Sequence, residues 1–373
     1  MRIRKLLLTL IMSIVLLWAL AWSLAASATA LTTIRYVAPG GNCGAGITPC
    51  YATLQAAINA AVAGDEVRVA QGVYVDVTTV PYPLDGSPTI TQAMFITKTL
   101  TVRGGYTLTN WTTAEPANYP TVINPQGEGR GSVIASPNPS IPALVTLEGL
   151  TIANGYATGS GGGLFAENSD VVIRDCYILS NTNGVVLRNN RSTLINTVIA
   201  DNRLAGPTVI TQTGLIILGG EMQAWHTTLA DNGGTGLWVQ NLGNNPAFAT
   251  MTNTIISGHD VVGAHVLGQT ENPTIVQLTA TLWGINEQQI NFNDGGKIIH
   301  YRDEIEAPNF VGPDDYRLTA TSPARNRGAY SPVRYDIIGV KRDPLPDLGA
   351  YEYDDPESIR QVFLPLVMRQ ATR

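Results

Sequence analysis

The sequence predicts an all-β fold, a single-stranded right-handed parallel β-helix (a solenoid) with a short N-terminal capping helix. Three observations predict it. Strand-like segments with matching endings recur from Val145 onward. The chain is rich in turn formers, with 37 Gly and 22 Pro in 373 residues, and only 14% of residues are charged, a balance that suits many short strands rather than long helices. One short amphipathic segment, and only one, reads as a helix.

The N-terminus predicts export. Arg2, Arg4 and Lys5 precede an apolar run from Leu6 to Leu24, followed by the small residues Ala25 to Ala30, the layout of a secretory signal peptide. Residues 1–30 are therefore read as that signal, with the mature chain starting near Thr29 or Leu31. An uncleaved anchor helix is the alternative, because the run reaches the roughly 17–25 residues of a membrane span. Losing Arg2, Arg4 and Lys5 takes the net charge from −6 to −9, which argues against nucleic acid as a partner. Cys43 and Cys50 lie close together in a Gly/Pro loop and are expected to pair in an oxidising compartment. Cys176, alone in an apolar stretch, is expected to be a buried core residue.

Thr53 can cap a helix over residues 54–62, with Leu54, Ile58, Ala61 and Val62 on one apolar stripe and Gly64-Asp65 ending it. Strands are expected over Glu66–Ala70 and over 95–102, where residues alternate. The repeat then takes over, in segments ending at Asn154, Asn181, Asn202, Asn232 and His259. The last four endings are 21, 30 and 27 residues apart (181, 202, 232, 259), and short second strands such as Gly184–Leu187, Gly214–Leu218 and Gly236–Val239 lie between copies. One such unit cannot bury its Ile, Leu and Val alone, so stacked units must share an interior. Asn181, Asn202 and Asn232 then form one column, where Asn tolerates a left-handed backbone and its amide can bond up the stack. The early helix, tied by Cys43 and Cys50, covers the open N-terminal end.

The segments Tyr36-Val37-Ala38-Pro39-Gly40-Gly41-Asn42-Cys43, Pro49–Ile58 and Gly64–Tyr74 resemble the start of secreted pectin-lyase-like β-helix proteins. Phe310-Val311-Gly312, Asp315–Leu318, Ser322-Pro323-Ala324 and Asp347-Leu348-Gly349-Ala350-Tyr351-Glu352-Tyr353 are similar to the closing part of choice-of-anchor surface proteins. That group usually has an Asp soon after Ser-Pro-Ala; here the chain reads Arg325-Asn326-Arg327-Gly328, which puts an acidic role there in doubt. The resemblance implies a pectin-lyase-like fold and, for many of its members, cleavage or epimerisation of uronic-acid polymers, with calcium held by carboxylates in the lyases.

Fold alone does not assign that chemistry. The Gly-His-Gly and Arg-x-Lys of the hydrolases and the Asp-Pro-His-Glu of alginate epimerases are not found; Gly258-His259-Asp260 is the nearest echo. The repeat register instead places Asp201 and Asp231 on neighbouring coils, about 5 Å apart, as candidate catalytic carboxylates or a Ca²⁺ site. The plainer reading is that Ala-Asp-Asn ends each strand as a turn. A second column gathers Asp175, Asn196, His226 and Asn253, with Asp175 and His226 as a candidate acid–base pair or as an ordinary polar wall. Arg174 and Arg203, among the nearby Arg188 and Arg191, are candidate carboxylate binders, and Trp225 and Trp238 candidate sugar platforms; surface and packing roles are the alternatives. Gly159–Gly163 is read as a loop and not a phosphate cradle.

The domain expectation is a solenoid over 31–355, comprising a cap (31–75), coils (76–300) and a closing segment (301–355), with a tail at 356–373. Within the tail, 362–369 is too short and Pro-broken to span a bilayer and is read as a sorting tag or a final strand. The functional expectation is a secreted or cell-surface protein, structural, adhesive or carbohydrate-binding, whose partner is an extracellular polysaccharide or cell-surface polymer and which touches membrane only through an uncleaved signal. The alternative is a calcium-assisted polysaccharide lyase or glycoside hydrolase.

Overall fold

Each turn of the chain lays down three short strands, and successive turns stack in parallel register to make three walls. The computed structural model describes residues 32–354 apart from 85–86, 160, 204–211, 270 and 294; the signal segment and the 362–369 tail lie outside the described residues. The first wall contains Glu66–Ala70, Leu100–Tyr106, Leu144–Glu148, Asp170–Arg174 and then residues 191–195, 221–225, 247–252, 274–279 and 296–301, each paired in parallel with the next. The stack begins earlier than the 31–75 cap expectation has it, since Ile34–Val37 already pairs in parallel with Glu66–Ala70.

Alternation explains the interior. Val102, Leu147, Ile173, Leu194, Ala224, Met251 and Leu278 occupy one inward column of the first wall and are all essentially inaccessible. Ile123, Ile152, Ile178, Ile199, Leu229, Ile256 and Trp283 do the same on the second wall. Cys176 is fully buried beside them, and burial pushes its thiol up to about 12, so it is the inert core residue expected.

The corners are made by residues with left-handed backbone, which turns the chain within one residue. Between the first and second walls these are Gly149, Asp175, Asn196, His226, Asn253 and Ala280, with φ from 46° to 64°. Between the second and third walls they are Asn154, Ser180, Asp201, Asp231 and Gly258. The residue that follows each of the middle three is the ladder asparagine, so the left-handed position belongs to Ser180, Asp201 and Asp231 and not, as expected, to Asn181, Asn202 and Asn232.

Those asparagines are fully buried and do form a ladder. The Asn202 Oδ1 accepts from the Asn181 backbone N–H (3.1 Å) and side-chain amide (3.0 Å), and the Asn232 Oδ1 accepts likewise from Asn202 (3.1 and 2.9 Å). Their amides also donate to Ile152, Ile178 and Ile199 carbonyls. A glycine column faces the ladder because nothing larger fits: a Cβ on Gly214 would lie 2.5 Å from the Asn232 amide nitrogen, and one on Gly236 would lie 2.3 Å from His259 Nε2.

The helix α1 (Leu54–Ala60) starts at Thr53, whose hydroxyl accepts from the Ala56 N–H at 3.2 Å. It ends two residues before the expected stop, because Ala61 is extended and Lys98 Nζ takes the Ile58 and Ala61 carbonyls. Val62 therefore points to solvent at 61% exposure rather than joining the apolar stripe. Leu54, Ala57 and Ile58 cover the core end, and Gln55 exchanges hydrogen bonds with the Phe95 backbone. Cys43 and Cys50 are disulfide-bonded. The strand expected over 95–102 is broken at 97–99, where the chain turns from Ser87–Ile96 into Leu100–Tyr106.

Two walls are covered from outside. An antiparallel hairpin, Thr78–Leu84 with Ser87–Ile96, lays Val80, Tyr82 and Ile90 on Val133, Phe165 and Val186 of the third wall. Tyr316, Ile337, Ala350 and Tyr351 of the closing segment pack on Val198, Ala200 and Ala230 of the second wall, with Leu318, Ala324 and Leu348 on Ile255, Ala280 and Leu282. The closing segment thus lies along the side of the coils. Two substitutions test the ladder: Asn202→Ala is expected to lower the unfolding free energy by about 2–4 kcal/mol through lost and orphaned hydrogen bonds, and Gly214→Ala by about 1–3 kcal/mol through overpacking. Guanidinium unfolding measures both, with the exposed Val62→Ala as a control within about 0.5 kcal/mol.

Candidate functional site

The structure places Asp201 and Asp231 on adjacent rungs, as their register predicts, each at a left-handed corner. Both are half-buried. The Tyr316 hydroxyl of the closing segment donates to Asp201 Oδ2 at 2.5 Å. Burial is the main cause that raises both carboxyls, and the Asp201 charge adds to the rise of Asp231, to about 6. Arg203 donates to the Asp231 carbonyl (2.6 Å) and pairs with Asp260 (3.0 Å).

Ca²⁺ requires six to eight oxygen ligands. Among the described residues no three His, Cys, Asp or Glu side chains converge to hold a metal ion, and one oxygen of this pair is already taken by Tyr316. The two carboxylates do not fit a calcium site.

The second predicted column also exists, and the closing segment docks on it. Asn196 donates to Asp175 Oδ1 (2.8 Å) and to the Tyr335 carbonyl (2.9 Å), and accepts from Arg342 Nη2 (3.0 Å). Asn253 exchanges bonds with the Ala329 backbone (2.7 and 2.9 Å). Between them His226 is fully buried, its Nε2 3.1 Å from the Asn253 amide. Burial, reinforced by Arg342, depresses its pKa to about 2, so the ring is neutral. Burial raises Asp175 to about 6. A buried ion pair, Arg342 with Glu352 at 3.0 Å, holds the segment itself together. His259, next in the asparagine ladder, is likewise buried and neutral, its pKa depressed to about 3.

The predicted substrate binders divide among three places. Arg174 and Trp225 stand on the outer face of the first wall, two rungs apart in one column. Trp238 is on the third wall, its ring 4.5 Å from that of His265 and its Nε1 bonded to Gln240. Arg203 lines an open polar depression of about 510 Å³ with Tyr156, Asn154 and Ser180.

Among the described residues the first wall has no cover of the kind found on the other two, and a groove runs along it. About 440 Å³ of it lies over Asp170, Arg191, Glu221 and Phe248, flanked by Pro139–Pro142 on one side and Asn245–Pro246 on the other. A further depression of about 260 Å³ includes the same three charged residues with Val172, Thr193 and Gln223. Asp170, Arg191, Glu221 and Phe248 are direct rung neighbours. None of the three charged side chains has a hydrogen-bond or ion-pair partner among the described residues. Elsewhere on the same wall Arg103 is paired with Glu148 (2.9 Å) and Glu66 (3.4 Å). Asn190 also lines the groove, 4% exposed, and its Nδ2 has no partner.

Of this column only Arg191 is among the residues the sequence singles out, as one of the arginines near Arg174 and Arg203. A signal was present: each member precedes a ladder residue by the same interval, 170 to 181, 191 to 202, 221 to 232 and 248 to 259.

Residues 129–280, which include the whole groove column, match the family described as the right handed beta helix region. No curated protein matches the chain. Among solved structures it is similar to pectate lyase Pel9A, at 16% identity and a TM-score of 0.37 over 87% of this chain and 97% of that one. It is also similar to ORF18 of Geobacillus virus E2, at 11% identity and a TM-score of 0.31 over 72% and 60%.

Two substitutions separate anchoring from catalysis in the polar columns. Asp231 has a folded-state pKa of about 6, above the roughly 3.9 of an unfolded chain. Folding therefore favours its protonated form; the penalty is absent below about pH 4 and is complete once pH has risen past 6. Asp231→Asn, which suits the left-handed corner, is expected to raise the melting temperature at pH 7.5 and leave it unchanged near pH 4. His226 has the opposite sign: its depressed pKa means stability is complete above about pH 6.5 and is lost as pH falls and the unfolded imidazole protonates. His226→Asn is expected to flatten that acid loss in melts taken between pH 7.5 and 4.

Proposed function

We propose that this chain is an exported, secreted or cell-surface β-helix protein that binds an extended polysaccharide along its first wall. The observation that carries the proposal is the groove over Asp170, Arg191, Glu221 and Phe248, where three charged side chains on successive rungs have no partner among the described residues. Charged groups left without a protein partner are available to a ligand, and an ionised side chain makes stronger hydrogen bonds than a neutral one. Rungs repeat about every 4.8 Å, close to the advance of an extended pyranose chain per residue. A polymer lying along the solenoid therefore meets one member of the column per sugar. Arg174 and Trp225 are on the same outer face, four residues along their strands from Asp170 and Glu221.

The signal-like N-terminus and the resemblance of the 347–353 motif to choice-of-anchor proteins support placement outside the cell. The rival reading is a lyase or glycosidase working through Asp201 and Asp231. It is weakened by their position, since they line neither groove depression and Asp201 is bonded to Tyr316.

The expected result is retention of the mature protein on insoluble polysaccharides or cell-wall fractions. Arg191→Ala and Phe248→Ala are each expected to weaken it by about ten-fold, roughly 1.4 kcal/mol, while Asp201→Asn does not. Calcium and chelator are expected to leave retention and melting temperature unchanged. Release of reducing or unsaturated ends, abolished by Asp201→Asn, would establish the rival reading.

A further inference from the structure

We infer that the polymer held in this groove is a neutral, hydroxyl-bearing polysaccharide and not a polyuronate; the inference rests on the binding reading above and adds the ligand's charge class. The geometry points to this through the order of charges. Asp170, Arg191 and Glu221 occupy one column on three successive rungs, so the single guanidinium has a carboxylate about one rung spacing, 4.8 Å, to either side. The remaining groove positions in reach, Asn189, Asn245, Thr193 and Gln223, are uncharged.

A polyuronate lying along this column brings one carboxylate per sugar. Only the one beside Arg191 meets a fork of donors; those before and after it meet like charge at Asp170 and Glu221. A calcium ion could bridge such carboxylates, but no described cluster of acidic side chains has the number of ligands to hold one here.

A neutral chain meets the opposite situation. Each carboxylate is an acceptor with two oxygens, matched to pairs of sugar hydroxyls, and the guanidinium donates to hydroxyl or ring oxygens. The Gln223 amide donates and accepts, Asn189 and Asn245 offer what their mutual hydrogen bond (3.0 Å) leaves free, and Phe248 offers an apolar face to the C–H side of a ring. Recognition of this kind contains no net charge pairing, so salt does not weaken it.

The test is affinity electrophoresis or calorimetry of the mature protein with galactomannan and mixed-linkage glucan as neutral polymers, and polygalacturonate and alginate as polyuronates, at low and high salt. The expected outcome is binding of at least one neutral polymer about ten-fold or more tighter than either polyuronate, independent of salt. The double variant Asp170→Asn/Glu221→Gln, which keeps shape and removes both negative charges, is expected to gain polyuronate binding that salt abolishes. Wild-type binding of a polyuronate at least as tight as of the neutral polymers, and sensitive to Arg191→Ala, would overturn the charge class while leaving the groove reading intact. Retention of no polymer at all would overturn the groove reading itself.

Discussion

The constraint on which the rest of the structure depends is the sharp turn between the second and third walls. Two strands must change direction there within two residues while every backbone amide stays buried and in register with the coil on either side. Buried amides without partners are costly, and strands alone cannot supply partners at a corner. Asn181, Asn202 and Asn232 supply them by bonding to the ladder residue of the next rung (Asn202, Asn232 and His259 in turn) and to the preceding strand's carbonyl. The glycines at 184, 214 and 236 follow from this, because the asparagine amide or the His259 ring occupies the space a Cβ would need. One corner thus dictates two columns of residue type.

The other corners account for the polar columns that look chemical in the sequence. A left-handed residue costs least when it is Gly, Asn or Asp, so Asp175, Asn196, Asn253, Asp201 and Asp231 gather by backbone requirement. Their side chains then point outward from the corner, where the closing segment takes them up. Arg342 reaches Asn196, Tyr316 reaches Asp201, and Ala329 reads both ends of the Asn253 amide. The raised carboxyls and the depressed His226 are the electrostatic record of that covering, since burial is the largest cause for each. Perturbed titration is often a mark of catalysis; here it accompanies docking of one part of the chain on another.

This explains which parts of the molecule were legible. The coils, their register, the disulfide, the buried Cys176 and the asparagine ladder all follow from local alternation and a repeated ending, so they could be read from neighbouring residues. The fate of Asp175 and His226 could not, because the segment that covers their column and bonds their neighbours Asn196 and Asn253 lies at 329–349, and nothing local in Asp-Cys-Tyr or His-Thr-Thr announces a segment more than a hundred residues away. The helix end at Ala60 was hidden for the same reason: Lys98, on a later strand, caps it. The groove column was hidden differently. Asp170, Arg191, Glu221 and Phe248 share a fixed offset from the ladder, but they differ in type, and a search for repeated residues passes over a column whose members alternate in charge.

That alternation is itself a consequence of stacking. Rung neighbours stand as close as cross-strand pairs, and like charges directly opposite one another destabilise a sheet. A column of consecutive arginines or lysines, the arrangement best suited to a polyanion, would therefore repel itself along the whole solenoid in the absence of counter-charge. Placing Asp170 and Glu221 on either side of Arg191 relieves the repulsion. The same order removes the positive field a polyuronate needs and leaves hydrogen-bonding groups of both kinds in the groove. The free protein's own stability and the charge of the proposed ligand would in this way be linked, because the register that builds the core also sets which charges must be neighbours.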